Sequence, residues 1–194
     1  MKFSKIIVDP PWQFNDKLTM SSVKRGAESN YPVLSIEELK KLKISEISED
    51  NSIIGLWCPF VFLQNGLDLL MEWKFVYKTL FIWVKQTKNS VPINDFEAEN
   101  IEKLAFGMGR TFRSCAEVAL IGIKGKPEII SHSERNVTVS PMLKNHSEKP
   151  NSLHEAFDRM IPKGKGIELF ARRPYKEWNC IGDELYPNKD IENL

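Results

Sequence analysis

Residues 5–14 read KIIVDPPWQF. Ile6, Ile7 and Val8 are apolar and β-branched, and the run stops at Asp9-Pro10-Pro11-Trp12, which predicts a short buried strand ending at a double proline. Each proline holds φ near about −65° and has no N–H, and the residue before a proline is pushed to an extended conformation. The Asp9 side chain and the Pro10 carbonyl are thus held side by side at the strand's carboxyl end, where open α/β sheets bind their ligands. Taken alone, the same four residues read equally well as a plain turn.

Outward from that strand, Gln13 to Leu34 is polar and without a steady period, a long loop of the kind that compact domains keep for function. Ser35 and Glu38 have capping-box spacing and open a short helix in IEELKKL. SIIGLWC (52–58) reads as a buried strand, FVFLQNGLDLLMEW (60–73) as an amphipathic helix and FVYKTLFIWVK (75–85) as another strand. A second long loop covers Gln86 to Arg113, with a short helix expected in DFEAENIEKLAF (95–106). CAEVALIGIK (115–124) is a strand, Ser152 and Glu155 offer another capping box before LHEAFDRM, and GIELFA (166–171) is a further strand. The alternation predicts an α/β fold, a sheet with helices on both faces.

The 194 residues suit one domain, with 42% hydrophobic and 27% charged residues. A net charge of +1 announces no electrostatic partner, so nucleic acid would have to be met by a local patch. Affinity for it is expected to be modest, and raised if subunits pair as a homodimer or hetero-oligomer. Cys58, Cys115 and Cys180 lack the spacing of a zinc site or disulfide framework and read as reduced thiols, and His132, His146 and His154 show no metal spacing either. No metal is therefore expected. No apolar run approaches the roughly 18 residues that cross a bilayer, and the N-terminus lacks a signal-peptide layout, so the expected compartment is the cytoplasm, with no membrane partner.

Two fixed acceptors beside an aromatic face suit a planar ring bearing an exocyclic amine. The lone pair of such an amine is conjugated into the ring. Acceptors that draw the N–H groups toward tetrahedral geometry expose that lone pair to an electrophile and stabilise the charge that develops.

VDPPW resembles the motif of amino-methyltransferases acting on adenine or cytosine. Further segments, TFRSCAEVALIGIKGKP, HSEKPNSLHEAFDRMIP and IELFARRPYKEWNCIGDEL, resemble in order and spacing those of the MT-A family, the seventy-kilodalton-subunit-like N6-adenine methyltransferases with a DPPW motif. The likeness runs from Ile6 to Leu185 and is strongest to the phage and bacterial type. It implies a Rossmann-like methyltransferase fold with a mixed, mostly parallel sheet and helices on both faces, a single S-adenosylmethionine-dependent methyltransferase domain over residues 1–194, and S-adenosylmethionine as cofactor.

By the same resemblance, Asp9, Pro10, Pro11 and Trp12 form the catalytic motif, the acid and first proline engaging the amine and Trp12 flanking the base. Lys149 matches a residue that contacts the cofactor, as Asp9 does, Arg172 an arginine at its ribose, and Asp183 and Glu184 a polar pair at its adenosine end. Glu117 matches an acid near the adenine pocket. The family commonly has Asn where this chain has Cys115, and often Asn at the position of Asp183.

The residues by themselves also allow plainer roles. Arg172 could make a surface ion pair, Lys149 could cap a helix, and Trp57, Trp73 and Trp83 read first as core, although Trp57 and Lys85 stand at strand ends. Trp57 and Arg113 are retained as candidate substrate contacts with Trp12 and Glu117. Lys17, Lys24, Arg25, Lys88, Arg110 and Arg113 could meet phosphates or form a solvated face.

The expectation is methyl transfer to adenine N6, in DNA rather than RNA because a short, Lys-rich chain is similar to the phage and bacterial members. N6 methylation of RNA, N4 methylation of cytosine in DNA, and a non-catalytic nucleic-acid-binding partner subunit are the alternatives. Such subunits typically lose the acid or the aromatic residue of the motif, and this chain keeps both.

Overall fold

The computed structural model describes residues 1–14, 33–88, 103–107, 111–143, 148–182 and 185. FSKIIV forms β1 (Phe3–Val8), every residue of which is buried. A strand buried on both faces needs apolar side chains in both directions, and the alternation sends Ile6 and Val8 to one core and Ile7 to the other.

Helices α1 (Ile36–Lys41) and α2 (Ile44–Ile47) lead into β2 (Ser48–Cys58). A 3-10 turn at Phe60–Phe62 and α3 (Leu63–Glu72) follow, then β3 (Val76–Gln86), β4 (Ala116–Lys124) and β5 (Val137–Pro141). Helix α4 (Ser152–Met160), β6 (Gly166–Leu169) and β7 (Asn179–Ile181) complete the order. The seven strands lie as β5-β3-β4-β2-β1-β6-β7. The pairs β1·β2, β1·β6, β3·β5 and β6·β7 are parallel, and only β4 runs against both of its neighbours.

The mixed, mostly parallel sheet and its two helical faces agree with the expected Rossmann-like class. On one face Leu69, Leu70 and Trp73, from α3 and its C-terminal end, pack on Ile6, Val8, Ile54 and Leu56. On the other, Leu153 and Phe157 of α4 pack on Ile7, Ile53 and Trp57. Gly66 lets α3 come this close, since a Cβ there would meet Leu120 Cδ1 at 2.5 Å and Cys58 Sγ at 2.9 Å. The enclosed Cys58 thiol is pushed by burial up to about 12, which makes it inert.

The Ser35–Glu38 capping box forms as expected. The one expected at Ser152 and Glu155 does not: Asn151 occupies the N-cap without a side-chain capping bond, and the Ser152 hydroxyl is buried without a partner. The cause is tertiary, because Asn151 Oδ1 accepts a 2.8 Å hydrogen bond from Arg173 instead. Strands β5 and β7 were not anticipated. Both are short edge strands, and a few polar, half-exposed residues carry little of the alternation that marks a strand.

Of the helix expected at 95–106, residues 95–102 lie outside the described residues, and Leu104 forms an isolated antiparallel bridge with Gln86. His146, Lys17, Lys24, Arg25 and Arg110 also lie outside them. Among the described residues no helix is long and apolar enough to cross a membrane, and no group of His, Cys, Asp or Glu is placed to hold a metal.

Candidate active site

Strand β1 lies between β2, which follows it, and β6, which comes near the chain's end. Connections therefore leave β1 in opposite directions, and the carboxyl end of β1 is a switch point where a crevice opens. A cavity of about 270 Å³ sits there, lined from β1 by Asp9 to Trp12, from β2 by Trp57 and Cys58, and from β3 by Lys85. Because β4 is antiparallel, its beginning reaches the same edge and contributes Glu117. Lys149, just before α4, and Arg172, just after β6, close the wall.

The DPPW turn is pinned by its own backbone. Asp9 N–H donates to Leu169 O at 3.2 Å, Trp12 N–H to Pro10 O at 2.9 Å, and Leu34 N–H to Pro11 O at 2.9 Å. Pro10 O thus keeps one lone pair for another donor. Trp12 is only 4% exposed: its indole stacks on Phe62 at 5.2 Å and donates from Nε1 to Trp57 O at 3.0 Å. It ties the ends of β1 and β2 together.

A row of alternating charges crosses the cavity. Lys149 Nζ donates to Asp9 Oδ2 at 2.9 Å and lies 3.2 Å from Glu117 Oε2, while Lys85 Nζ donates to Glu117 Oε1 at 2.7 Å. The Trp57 ring lies 5.6 Å from Lys149 Nζ, a cation–π contact that adds to the cation's surroundings. Burial pushes the Asp9 carboxyl up, and Lys149 offsets this only in part, since the Glu117 and Glu168 carboxylates add repulsion; it ends above the ordinary aspartate range. Burial also pushes Glu117 up, but Lys149 and Lys85 together outweigh it and hold that carboxyl below its usual range. For Lys149 burial disfavours the charge, yet its two carboxylate partners prevail and keep the ammonium protonated to higher pH than usual.

Arg173, to which the sequence assigned no role, holds the turn bearing Lys149. Its guanidinium lies 3.0 Å from Glu148 Oε1 and donates to Lys149 O at 3.1 Å and to Asn151 Oδ1 at 2.8 Å. Two adjacent arginines after β6 were the available sign. Lys85, noticed only as a strand-end residue, belongs to the charge row.

A second cavity, of about 20 Å³ and large enough for one water, shares Asp9, Lys149 and Arg172 with the first and adds Glu168 and His154, themselves 2.9 Å apart. A zwitterionic, polyhydroxylated ligand needs cations for its carboxylate and acceptors for its ammonium and hydroxyls. Arg172 and Lys149 beside Asp9 and Glu168 form a donor and acceptor set that fits S-adenosylmethionine.

Of the residues singled out from sequence, Asp9, Pro10, Pro11, Trp12, Trp57, Glu117, Lys149 and Arg172 gather around one cavity. Trp57 is 1% exposed and is core as well as cavity wall. Arg113 does not line the cavity; it stands outside, its guanidinium 4.9 Å from the Phe106 ring centroid. Asp183 and Glu184 lie outside the described residues.

A family model described as MT-A70 matches residues 3–184. The type II methyltransferase M.MunI of Mycoplasma sp is 30% identical over 205 residues, covering 97% of this chain and 80% of that protein. A putative N(6)-adenosine-methyltransferase MT-A70-like protein of Medicago truncatula is 26% identical over 186 residues, 95% of this chain and 26% of that protein. The human N(6)-adenosine-methyltransferase catalytic subunit METTL3 is 24% identical over 187 residues, 95% of this chain and 28% of that protein. The chain thus spans most of the first relative and about a quarter of the other two.

Proposed function

The chain belongs to the MT-A70 family of methyltransferases, and from that premise we propose that it moves a methyl group from S-adenosylmethionine to the N6 amine of adenine in DNA. The observation that carries this reading is the placement of Asp9. Its side chain, 14% exposed, stands at the switch point, its Oδ2 is held by Lys149, and among the described residues no side chain hydrogen-bonds to its Oδ1, one residue from the Pro10 carbonyl.

The two N–H groups of the amine donate to Asp9 Oδ1 and Pro10 O. Held so, the nitrogen lone pair leaves conjugation and points away from both acceptors. S-adenosylmethionine, when bound, would supply a methyl carbon made electrophilic by its sulfonium sulfur, which keeps the electron pair of the broken C–S bond and leaves as the neutral thioether. As the nitrogen gains positive charge, the Asp9 carboxylate stabilises it, and Lys149 keeps that carboxylate ionised and oriented without filling Oδ1. The surplus amine proton leaves along the hydrogen bond to Asp9, a base that burial has strengthened.

Trp12 braces the motif from behind, and Glu117 and Lys85 keep Lys149 in position. Arg172 and Glu168 serve the cofactor's polar groups. A base inside a duplex cannot reach Asp9, so the adenine arrives flipped out or from a single strand. DNA is favoured over RNA because the type II methyltransferase is matched over most of its own length, and the adenosine methyltransferases over about a quarter.

The test is incubation of the purified chain with radiolabelled S-adenosylmethionine and either DNA or RNA, followed by mass spectrometry of the nucleosides. N6-methyldeoxyadenosine is expected. N4-methyldeoxycytidine or N6-methyladenosine would move the reading to a different acceptor, and cofactor binding without any labelled nucleic acid would end it.

A further inference from the structure

Four phenylalanines are exposed among the described residues: Phe14 at 42%, Phe60 at 48%, Phe106 at 76% and Phe112 at 84%. Phe14 and Phe60 line the catalytic cavity, as does Ser114, and Phe112 stands two residues before Ser114 in the chain. The backbone joins the Phe106 segment to the same edge, since Gly107 N–H donates to Ser114 O at 3.1 Å and Ala105 N–H to Lys85 O at 2.7 Å. Scattered exposed apolar side chains need no explanation, but aromatic rings gathered at the mouth of a cavity mark a binding surface.

The chemistry of the rim identifies the occupant. Arg113 holds its guanidinium 4.9 Å from the centroid of Phe106, and Lys103 is exposed on the adjoining segment, so flat apolar faces and phosphate-seeking cations alternate. This is the arrangement that tracks a nucleic-acid strand whose bases lie free to stack. A cavity of about 270 Å³ has room for one base, so the neighbouring nucleotides must lie on the rim. Bases that remain paired within a duplex have no free face to offer.

We propose that Phe106 and Phe112 are stacking platforms for the unpaired nucleobases flanking the target adenine, so that the chain acts on single-stranded rather than duplex nucleic acid. The proposal rests on the reaction argued above for its target base. It deepens that reading by choosing the strandedness of the substrate from the exposed rim.

The test uses the full chain with a random-sequence DNA oligonucleotide carrying 5-iodouracil on both sides of one adenine. Ultraviolet irradiation should give adducts that map to Phe106 or Phe112. Phe106→Ala and Phe112→Ala, both surface changes, should each weaken single-strand binding about tenfold and leave weaker duplex binding as it was. Adducts confined to other residues, unchanged single-strand affinity in both variants, or equal methylation of duplex and single strand would overturn the proposal. So would a dimer in sedimentation that the double variant converts to monomer, since the rim would then be a face for a second copy. Adducts without methyl transfer would sink the reaction and leave the platform standing. Methyl transfer without adducts at Phe106 or Phe112 would do the reverse.

Discussion

Lys149 Nζ lies 2.9 Å from Asp9 Oδ2, a contact between residues 140 apart in the chain. Each is deep enough to lose most of its hydration, with side chains 10% and 14% exposed, so neither charge is comfortable without the other. Lys149→Met leaves Asp9 and Glu117 without their shared cation. The expected cost is about 3 kcal/mol of stability, together with a fall in kcat of about a hundredfold. Urea unfolding and single-turnover methylation check the two effects. A variant as stable and active as the parent would show that the ion pair is incidental.

The direction of the Asp9 shift sets the acid limb of the pH profile. The carboxylate must be ionised to accept the amine, and burial has raised its pKa above the ordinary range. Activity should therefore begin to fall on acidification at a higher pH than an unperturbed aspartate would give. A raised acid stabilises the fold below its unfolded pKa and loses that contribution as pH rises through the folded value; Asp9 thus works against stability at neutral pH. Initial rates across the acid range, with cofactor and nucleic acid saturating, supply the measurement.

Glu117 behaves in the opposite sense. Its folded pKa is held down by Lys149 and Lys85 against the effect of burial, so it contributes stability above its unfolded pKa that is lost as pH falls through the folded value. Glu117→Gln should be less stable than the parent at neutral pH, and the gap should close on acidification. Denaturant midpoints measured for both chains along the same pH series decide it; a gap that stays constant would mean the ion pairs do not contribute.

Trp12 separates two readings of an aromatic residue beside a base. Stacked on Phe62 and bonded to Trp57 O, it is a brace between β1 and β2. Trp12→Ala should cost about 3 kcal/mol. Trp12→Phe should cost about 1 kcal/mol, for the carbonyl left unpaired. Thermal unfolding reads both. If Trp12→Ala leaves stability untouched and weakens only nucleic-acid binding, the ring serves the base and not the fold.

Much of this was legible from short-range pattern, and the remainder was not, for a physical reason. Ile6 to Val8 ending at Pro10 and Pro11 marked β1, and Ser35 with Glu38 marked the start of α1, because both signals lie within a few residues. Lys149 and Glu117 were reached only by resemblance; no local rule brings residue 149 to residue 9. At Asn151 a tertiary hydrogen bond from Arg173 overrode the cap that Ser152 and Glu155 advertised. The indole of Trp12 reads as a platform from the sequence, and its stacking on Phe62, a residue 50 positions away, has no local sign.

Arg173 provides a test of positioning as distinct from catalysis. It touches Glu148, the carbonyl of Lys149 and the side chain of Asn151, it lines the smaller cavity with Asp9, and it holds the backbone of the residue whose ammonium pairs with Asp9. Arg173→Met should let the 148–151 turn shift, lowering kcat between about tenfold and a hundredfold with KM for nucleic acid nearly unchanged. Arg173→Lys should not rescue it, because one ammonium cannot span three acceptors that a planar fork reaches together. The acid limb should also move upward, since a displaced Lys149 leaves the Asp9 carboxylate less well paired. Steady-state kinetics with a pH series, run on both variants, tests the chain of contacts: a KM effect alone would place Arg173 against the nucleic acid instead.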